Sequence, residues 1–301
     1  LTCLRSYPMV PTMDTPSTTS GKSAIGPDTL ADQLAAGLRL EREGRCAAAL
    51  DLYHHLLSDH PDECRLHYRA GCAALKMGEA ATAQSFFQTA VAQDPDNPRY
   101  LTNLGVALDR LGRREDAVRL YKRTAMLDGG TVVAHHNLGA IYAEQGRMDE
   151  ALRSFRAAIA LEPDAEGYHN LGLVHFRVDD FVAALENFRN AVACDSGYAV
   201  GHYYVGLCLM KTGNYIAAME AFHRAWGLDS RLARVPYHLG CCLHKLQRHE
   251  EARSRLEQAL DAFPEDGRLH YQLALTCDAL GLHPEARIHY GMATGRNNPN
   301  E

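Results

Sequence analysis

The chain has 301 residues, 46 % of them apolar and 23 % charged, with a formal net charge of −6 and an isoelectric point near 6.2. That is the make-up of an ordinary soluble folded protein, and it excludes the basic signature of a nucleic-acid binder. No apolar run approaches the roughly 18 residues that a membrane-crossing helix needs, so direct membrane insertion is not expected either.

The opening segment, residues 1–29, is rich in Thr, Ser and Pro and is expected to be a disordered lead-in. It lacks the continuous apolar stretch of a secretory signal. Leu1 is not a usual initiator, and Met9 and Met13 both stand as candidate starts. Gly21-Lys22-Ser23 has the ending of a phosphate-binding loop, but Pro16 stands where that motif requires glycine and no strand precedes it, so nucleotide binding is not expected. Nine cysteines, an odd number without a C-x-x-C pair, speak against a disulfide framework or a zinc knuckle. A reducing, cytoplasmic setting is the simpler expectation.

From Leu30 onward the sequence repeats itself. A small residue recurs at Gly37, Gly71, Gly105, Gly139, Gly172, Gly206, Gly240 and Ala274, in steps of 34 residues with one of 33. Numbering that residue as position 8 divides the chain into repeats 30–63, 64–97, 98–131, 132–164, 165–198, 199–232, 233–266 and 267–300. Position 20 is alanine throughout, from Ala49 to Ala286, and position 24 is large: Tyr53, Phe87, Tyr121, Phe155, Phe188, Phe222, Leu256 and Tyr290. Small residues at 8, 20 and 27 let two helix backbones approach, and the residue at 24 fills the space beside them. Position 15 is glycine in six repeats, the left-handed residue that ends a first helix A; proline at position 32, as at Pro61, Pro95, Pro163 and Pro264, ends the second helix B.

On these columns the chain resembles the tetratricopeptide repeat family over about residues 30–300. The departures are modest: no tryptophan at position 4, and Asp179 and Gln247 in place of the turn glycine. The resemblance implies an all-α solenoid, a right-handed superhelix of eight helix-turn-helix hairpins, in which the A helices line a concave groove that takes peptides or protein segments. Such arrays usually close with an extra polar helix. Here the last helix B is followed only by TGRNNPNE, so the face carrying Ile288 and Met292 is expected to lack cover, either as a surface for docking or self-association or as a tolerated frayed edge.

Within helix A, positions 4, 7, 8 and 11 form the stripe expected to face the core. At about 100° per residue, positions 2, 6, 9 and 13 then point the opposite way and are expected to line the groove. Position 6 reads Ala35, Arg69, Asn103, Asn137, Asn170, Tyr204, His238 and Gln272. An amide offers both a donor and an acceptor, so the three central asparagines, each inside N-L-G, suit the backbone of an extended peptide. They resemble the asparagine ladder in the repeat domain of O-linked N-acetylglucosamine transferases, without a catalytic domain. Position 5 carries Thr102, His136 and His169 and several tyrosines, suited to aromatic contact along the groove or to packing between repeats. At position 2 stand Arg65, Arg99, Arg234 and Arg268, in a first turn where the helix dipole disfavours cations. Two readings stand for them: a groove tuned to acidic segments, or compensation by Asp62, Glu63, Asp96 and Asp266. The basic column at position 13, which includes Lys76 and Arg110, is expected simply to answer the dipole at the helix C-terminus. The lysine and asparagine that cochaperones of this family use to grip a C-terminal carboxylate are absent from positions 5 and 9, which argues against a chaperone-adaptor role.

No sequence pattern marks a catalytic site, and no cofactor is expected. Sixteen histidines occur without a metal-binding pair on one helix face. His67, His135, His202 and His270 all fall at position 4, where packing is expected, with the ring N–H finding a partner between helices. The expected function is a non-enzymatic scaffold that binds an extended segment of another protein in the groove lined by the A helices, acidic on the first of the two readings of the arginines. The alternatives are a regulatory or substrate-recruiting subunit of an enzyme on another chain, or a factor for assembling a membrane complex.

Overall fold

The computed structural model describes residues 29–127 and 131–295. The lead-in with its candidate starts, Cys3 and Gly21-Lys22-Ser23, together with the last six residues, lies outside them. Sixteen helices and no strand occur among the described residues. The chain divides into two compact units, residues 1–162 and 163–301. The first holds α1 (Leu30–Arg42), α2 (Cys46–Asp59), α3 (Cys64–Lys76), α4 (Ala80–Gln93), α5 (Pro98–Arg110), α6 (Arg114–Met126), α7 (Val132–Glu144) and α8 (Met148–Leu161). The second holds α9 (Ala165–Arg177), α10 (Phe181–Cys194), α11 (Ala199–Lys211), α12 (Tyr215–Leu228), α13 (Val235–Lys245), α14 (His249–Leu260), α15 (Gly267–Ala279) and α16 (His283–Ala293). Odd-numbered helices are the A helices and even-numbered ones the B helices. Within each unit, every A helix packs on its own B helix, and every B helix packs on the next A helix, giving a solenoid segment of four hairpins.

Local chemistry sets the helix ends. Thr29, Glu63, Asn97, Thr131, Asp164 and Asp266 each accept a hydrogen bond through the side chain from a backbone N–H in the first turn of an A helix. These residues answer donors that the helix itself cannot satisfy. In α13 the start moves to Val235, which puts Pro236 in the first turn, where its missing N–H costs nothing. Each A helix ends in the same way, with the residue after the left-handed position donating its N–H five residues back, as in Arg45 to Leu40 and Arg113 to Leu108. Asp179 and Gln247 take the same left-handed conformation, at φ 59° and 62°, although both carry a Cβ.

Inside each hairpin the small residue at position 8 lies against the large one at position 24. A Cβ added at Gly71 would come within 2.6 Å of the Phe87 ring, and one at Gly105 within 2.6 Å of Tyr121. Phe87, Tyr121, Phe155, Phe188 and Phe222 are wholly buried. These rings form the spine of the core within each unit.

His67, His202 and His270, at position 4, are latches between repeats. The Nε2 atoms of His67, His202 and His270 lie 2.8, 3.2 and 2.7 Å from the carbonyl oxygens of Pro61, Ser196 and Pro264. Each of those carbonyls belongs to position 32 of the preceding repeat. An N–H donated to it ties the loop between hairpins to the next A helix.

Candidate protein-binding face

The residues expected to line an open groove divide into two groups, and the larger one is inside the protein. Asn103 and Asn170 expose no surface, Asn137 only 3 % and Arg69 only 2 %. His136, His169 and Tyr204 are also buried. In the first unit, Asn103 Nδ2 donates to Tyr68 Oη at 3.0 Å and approaches Cys72 Sγ at 3.9 Å. Asn137 Nδ2 donates to Tyr121 Oη at 3.3 Å. Arg69 lies over the Tyr68 ring at 5.6 Å, and the His136 ring lies 5.8 Å from Phe155. In the second unit, His169 is enclosed by Phe188, Tyr198 and Tyr204, with centroids 5.3, 5.4 and 5.1 Å away, and Tyr204 stacks on Phe188. The Asn170 amide has no hydrogen-bond partner among the described residues.

This corrects the expectation of an exposed ladder. The argument from 100° per residue treats helix A as packed on one side only. In the stack, position 6 meets the preceding repeat, at position 5 of its A helix or, for Asn137, at position 24 of its B helix. Asn103 to Tyr68 is one such contact, and His238 Nε2 to Tyr203 Oη, at 3.0 Å, is another. His238 also stacks on Phe222 at 5.4 Å. Burial, helped by the positive charges of Arg234 and Lys211, lowers its pKa to about 4, so the ring is neutral at pH 7. Position 9 is inside as well, at Cys72, Val106, Ala140 and Leu173. Burial pushes the Cys72 and Cys208 thiols up to about 12, which keeps them protonated as small hydrophobic groups.

Position 13 remains exposed at its tips but does more than answer its own helix dipole. Lys76 Nζ bonds Glu41 of the preceding A helix at 2.6 Å, and Glu41 also accepts from Tyr53 Oη at 2.8 Å. Arg110 donates to the Leu75 carbonyl at 2.7 Å, satisfying an acceptor at the end of the preceding A helix.

The second, open group is the first turn of the A helices. Arg65 is exposed and pairs with Glu63 at 2.9 Å. Arg234 pairs with Asp266 at 2.5 Å and covers the Phe263 ring at 4.3 Å. Burial of Asp266 favours its neutral form, but the bonds from Arg234 and the backbone outweigh it and hold the carboxyl below its ordinary range. Asp96 instead pairs with Arg123. Arg99 is half-buried. Arg268 is exposed and forms no ion pair among the described residues.

Arg268 borders a pocket of about 730 Å³ between the first turns of α13 and α15 and the end of α16. Tyr237, Tyr271, Gln272, Glu265 and Asp266 complete most of its wall. Tyr271 is 53 % exposed, with its ring 5.9 Å from Tyr290. Arg268 and Gln272 were expected at a binding face. The two tyrosines were visible in sequence only as members of an aromatic column that serves packing equally well. Among the described residues no three His, Cys, Asp or Glu side chains gather to hold a metal, and no helix is long and apolar enough to cross a membrane. Ile288 and Met292 on α16 are exposed, at 54 and 42 %.

Tetratricopeptide repeat models match residues 68–130, 132–164 and 239–301. A model for anaphase-promoting complex, cyclosome, subunit 3 matches residues 195–259. No curated protein matches the chain by sequence. Among solved structures, MamA is similar at 23 % identity, with a TM-score of 0.52 over 56 % of this chain and 93 % of that one. YrrB, described as a TPR protein with an unusual peptide-binding site, is similar at 21 % identity, with a TM-score of 0.55 over 65 % of this chain and 97 % of that one. The C-terminal part of a TPR repeat-containing protein from Cytophaga hutchinsonii matches at 12 % identity, with a TM-score of 0.64 over 80 % of this chain and 99 % of that one.

Proposed function

The chain belongs to the tetratricopeptide repeat family, whose repeats support a role as a protein-interaction scaffold, and on that premise we propose that it takes an extended, carboxylate-bearing segment of another protein along the exposed first turns of its A helices. The observation that carries this reading is the pocket beside Arg268. An unpaired guanidinium there offers a fork of donors to a carboxylate. Tyr237 and Tyr271 offer apolar area with little side-chain entropy to lose, and the Gln272 amide suits a peptide backbone. Glu265 and Asp266 on the same wall limit how acidic the segment is, favouring isolated carboxylates over long acidic runs. The buried asparagines serve the stack, not the ligand. A reducing, cytoplasmic setting is part of the same proposal, supported by the free thiols of the described cysteines.

The test is photo-crosslinking in cells that express the full chain with Tyr271 replaced by p-benzoylphenylalanine. The crosslinked peptides are expected to come from another protein and to carry a carboxylate beside apolar residues, and their yield is expected to fall at least tenfold on adding Arg268→Glu. Equal yield with and without that substitution contradicts the reading.

A further inference from the structure

A second recess lies on a different part of the second unit. It opens between α10, α11 and α12, with His202 of the first turn of α11 in its wall, and measures about 260 Å³. Its origin is legible in the repeat. Positions 19 and 23 of helix B face the neighbouring hairpin, and elsewhere at least one of the two is larger than alanine: Leu52, Phe86 and Leu120 stand at position 23 of the first three repeats, and Asn187, Arg255 and His289 in later ones. In the sixth repeat both are alanine, Ala217 and Ala221. Two short side chains leave the dent, whose floor is Val192, Val205 and Leu209.

The rim is charged. Arg189 of α10 and Arg224 of α12 stand exposed on its two sides, with Glu220 also on the lining. Neither arginine forms an ion pair among the described residues, and Glu220 reaches neither of them. Two guanidinium groups against one carboxylate leave the mouth positive, while its floor is apolar and too small for a folded element. The complementary occupant is a single apolar side chain followed directly by a carboxylate.

We propose that this recess is a second docking site, which takes a leucine-sized side chain of a partner protein with the adjacent aspartate or glutamate held between Arg189 and Arg224. It is independent of the pocket at Arg268 and stands or falls separately. Apolar burial anchors such a contact, and the charge-assisted bonds set its polarity. One anchor of this size gives a weak site, with Kd in the range of about 0.1–1 mM, which becomes effective when the same partner is also held elsewhere on the array.

The experiment uses the full isotopically labelled chain and two probes, N-acetyl-leucyl-aspartyl-amide and N-acetyl-leucyl-lysyl-amide, followed by amide and methyl chemical shifts. The aspartyl probe is expected to shift the Val192, Val205, Leu209 and Ala221 resonances and to bind at least fivefold tighter than the lysyl probe. Ala221→Phe, which fills the dent, is expected to abolish those shifts. Arg189→Glu with Arg224→Glu, both exposed and harmless to packing, is expected to reverse the preference between the probes, which keeps the test decisive even if Ala221→Phe perturbs the fold. Equal affinity for the two probes, no shift at about 10 mM of either, or a preference that survives the double charge reversal overturns the proposal.

Discussion

Replacing Asn103 by alanine separates a structural amide from a ligand contact. Asn103 has no exposed surface, and its Nδ2 donates to Tyr68 Oη at 3.0 Å across two A helices. Removing it loses one buried hydrogen bond, worth about 0.5–1.5 kcal/mol net, and leaves the Tyr68 oxygen short of a donor, a further cost of about 1 kcal/mol. The missing atoms add a small cavity between α3 and α5. A total of about 2–3 kcal/mol is expected, read as a lower midpoint in urea by circular dichroism at an unchanged slope. Tyr68→Phe alone is expected to cost about 1 kcal/mol, and the double variant to cost less than the sum of the two, with a coupling of about 0.5–1.5 kcal/mol. Asn170→Ala is the control. Its buried amide has no partner among the described residues, so its removal is expected to leave stability unchanged or raise it. Asn103→Ala with unchanged stability, or additive effects of Asn103→Ala and Tyr68→Phe, refutes the structural role.

Three further outcomes follow from the geometry. Gln247→Gly, at a left-handed φ of 62°, is expected to stabilise by about 0.5–1 kcal/mol, since relief of about 1–2 kcal/mol of steric cost exceeds the entropy penalty of glycine; Asp179→Gly is expected to gain less, because aspartate tolerates that conformation better, and both are read from thermal midpoints. Gly105→Ala, which drives a Cβ to 2.6 Å from the Tyr121 ring, is expected to cost about 1–3 kcal/mol by overpacking, whereas Gly112→Ala strains only the turn. The pKa of His238 is about 4 in the folded chain against an ordinary 6.5. A depressed histidine pKa means that the unfolded chain binds the extra proton first. Its contribution is therefore full above pH 6.5 and is lost as the pH falls from 6.5 towards 4, by an amount on the order of 2–3 kcal/mol; His238→Asn is expected to flatten that part of the curve of urea midpoint against pH.

The hairpins were legible because their determinants are local and repeated. Alanine at position 20, the large residue at 24 and the small one at 8 name the same helix–helix contact eight times, and the structure places Gly71 on Phe87 and Gly105 on Tyr121 accordingly. The histidines at position 4 were legible as packing residues whose ring N–H needs a partner, but for His67, His202 and His270 that partner is a carbonyl of the loop before the helix, not a group between helices. Of the residues expected at a binding face, the structure leaves Arg65, Arg234 and Arg268 in the first turns exposed. Helical periodicity tells which way a side chain points from its own axis, but not what stands there. At position 6 the preceding repeat stands there, so Asn103 meets Tyr68 and His238 meets Tyr203. The same limit hid the recess beside Ala221, which depends on two small residues meeting a neighbouring hairpin.

The most direct test of where a partner binds compares Arg268→Glu with Asn103→Ala, using the segment identified by crosslinking at Tyr271 and measuring its affinity by titration calorimetry beside the thermal midpoint of each variant. Binding at the first turn predicts at least a tenfold loss of affinity for Arg268→Glu with an unchanged midpoint, and a lowered midpoint with unchanged affinity for Asn103→Ala. The opposite pattern, affinity lost with Asn103 and retained with Arg268→Glu, would contradict the account.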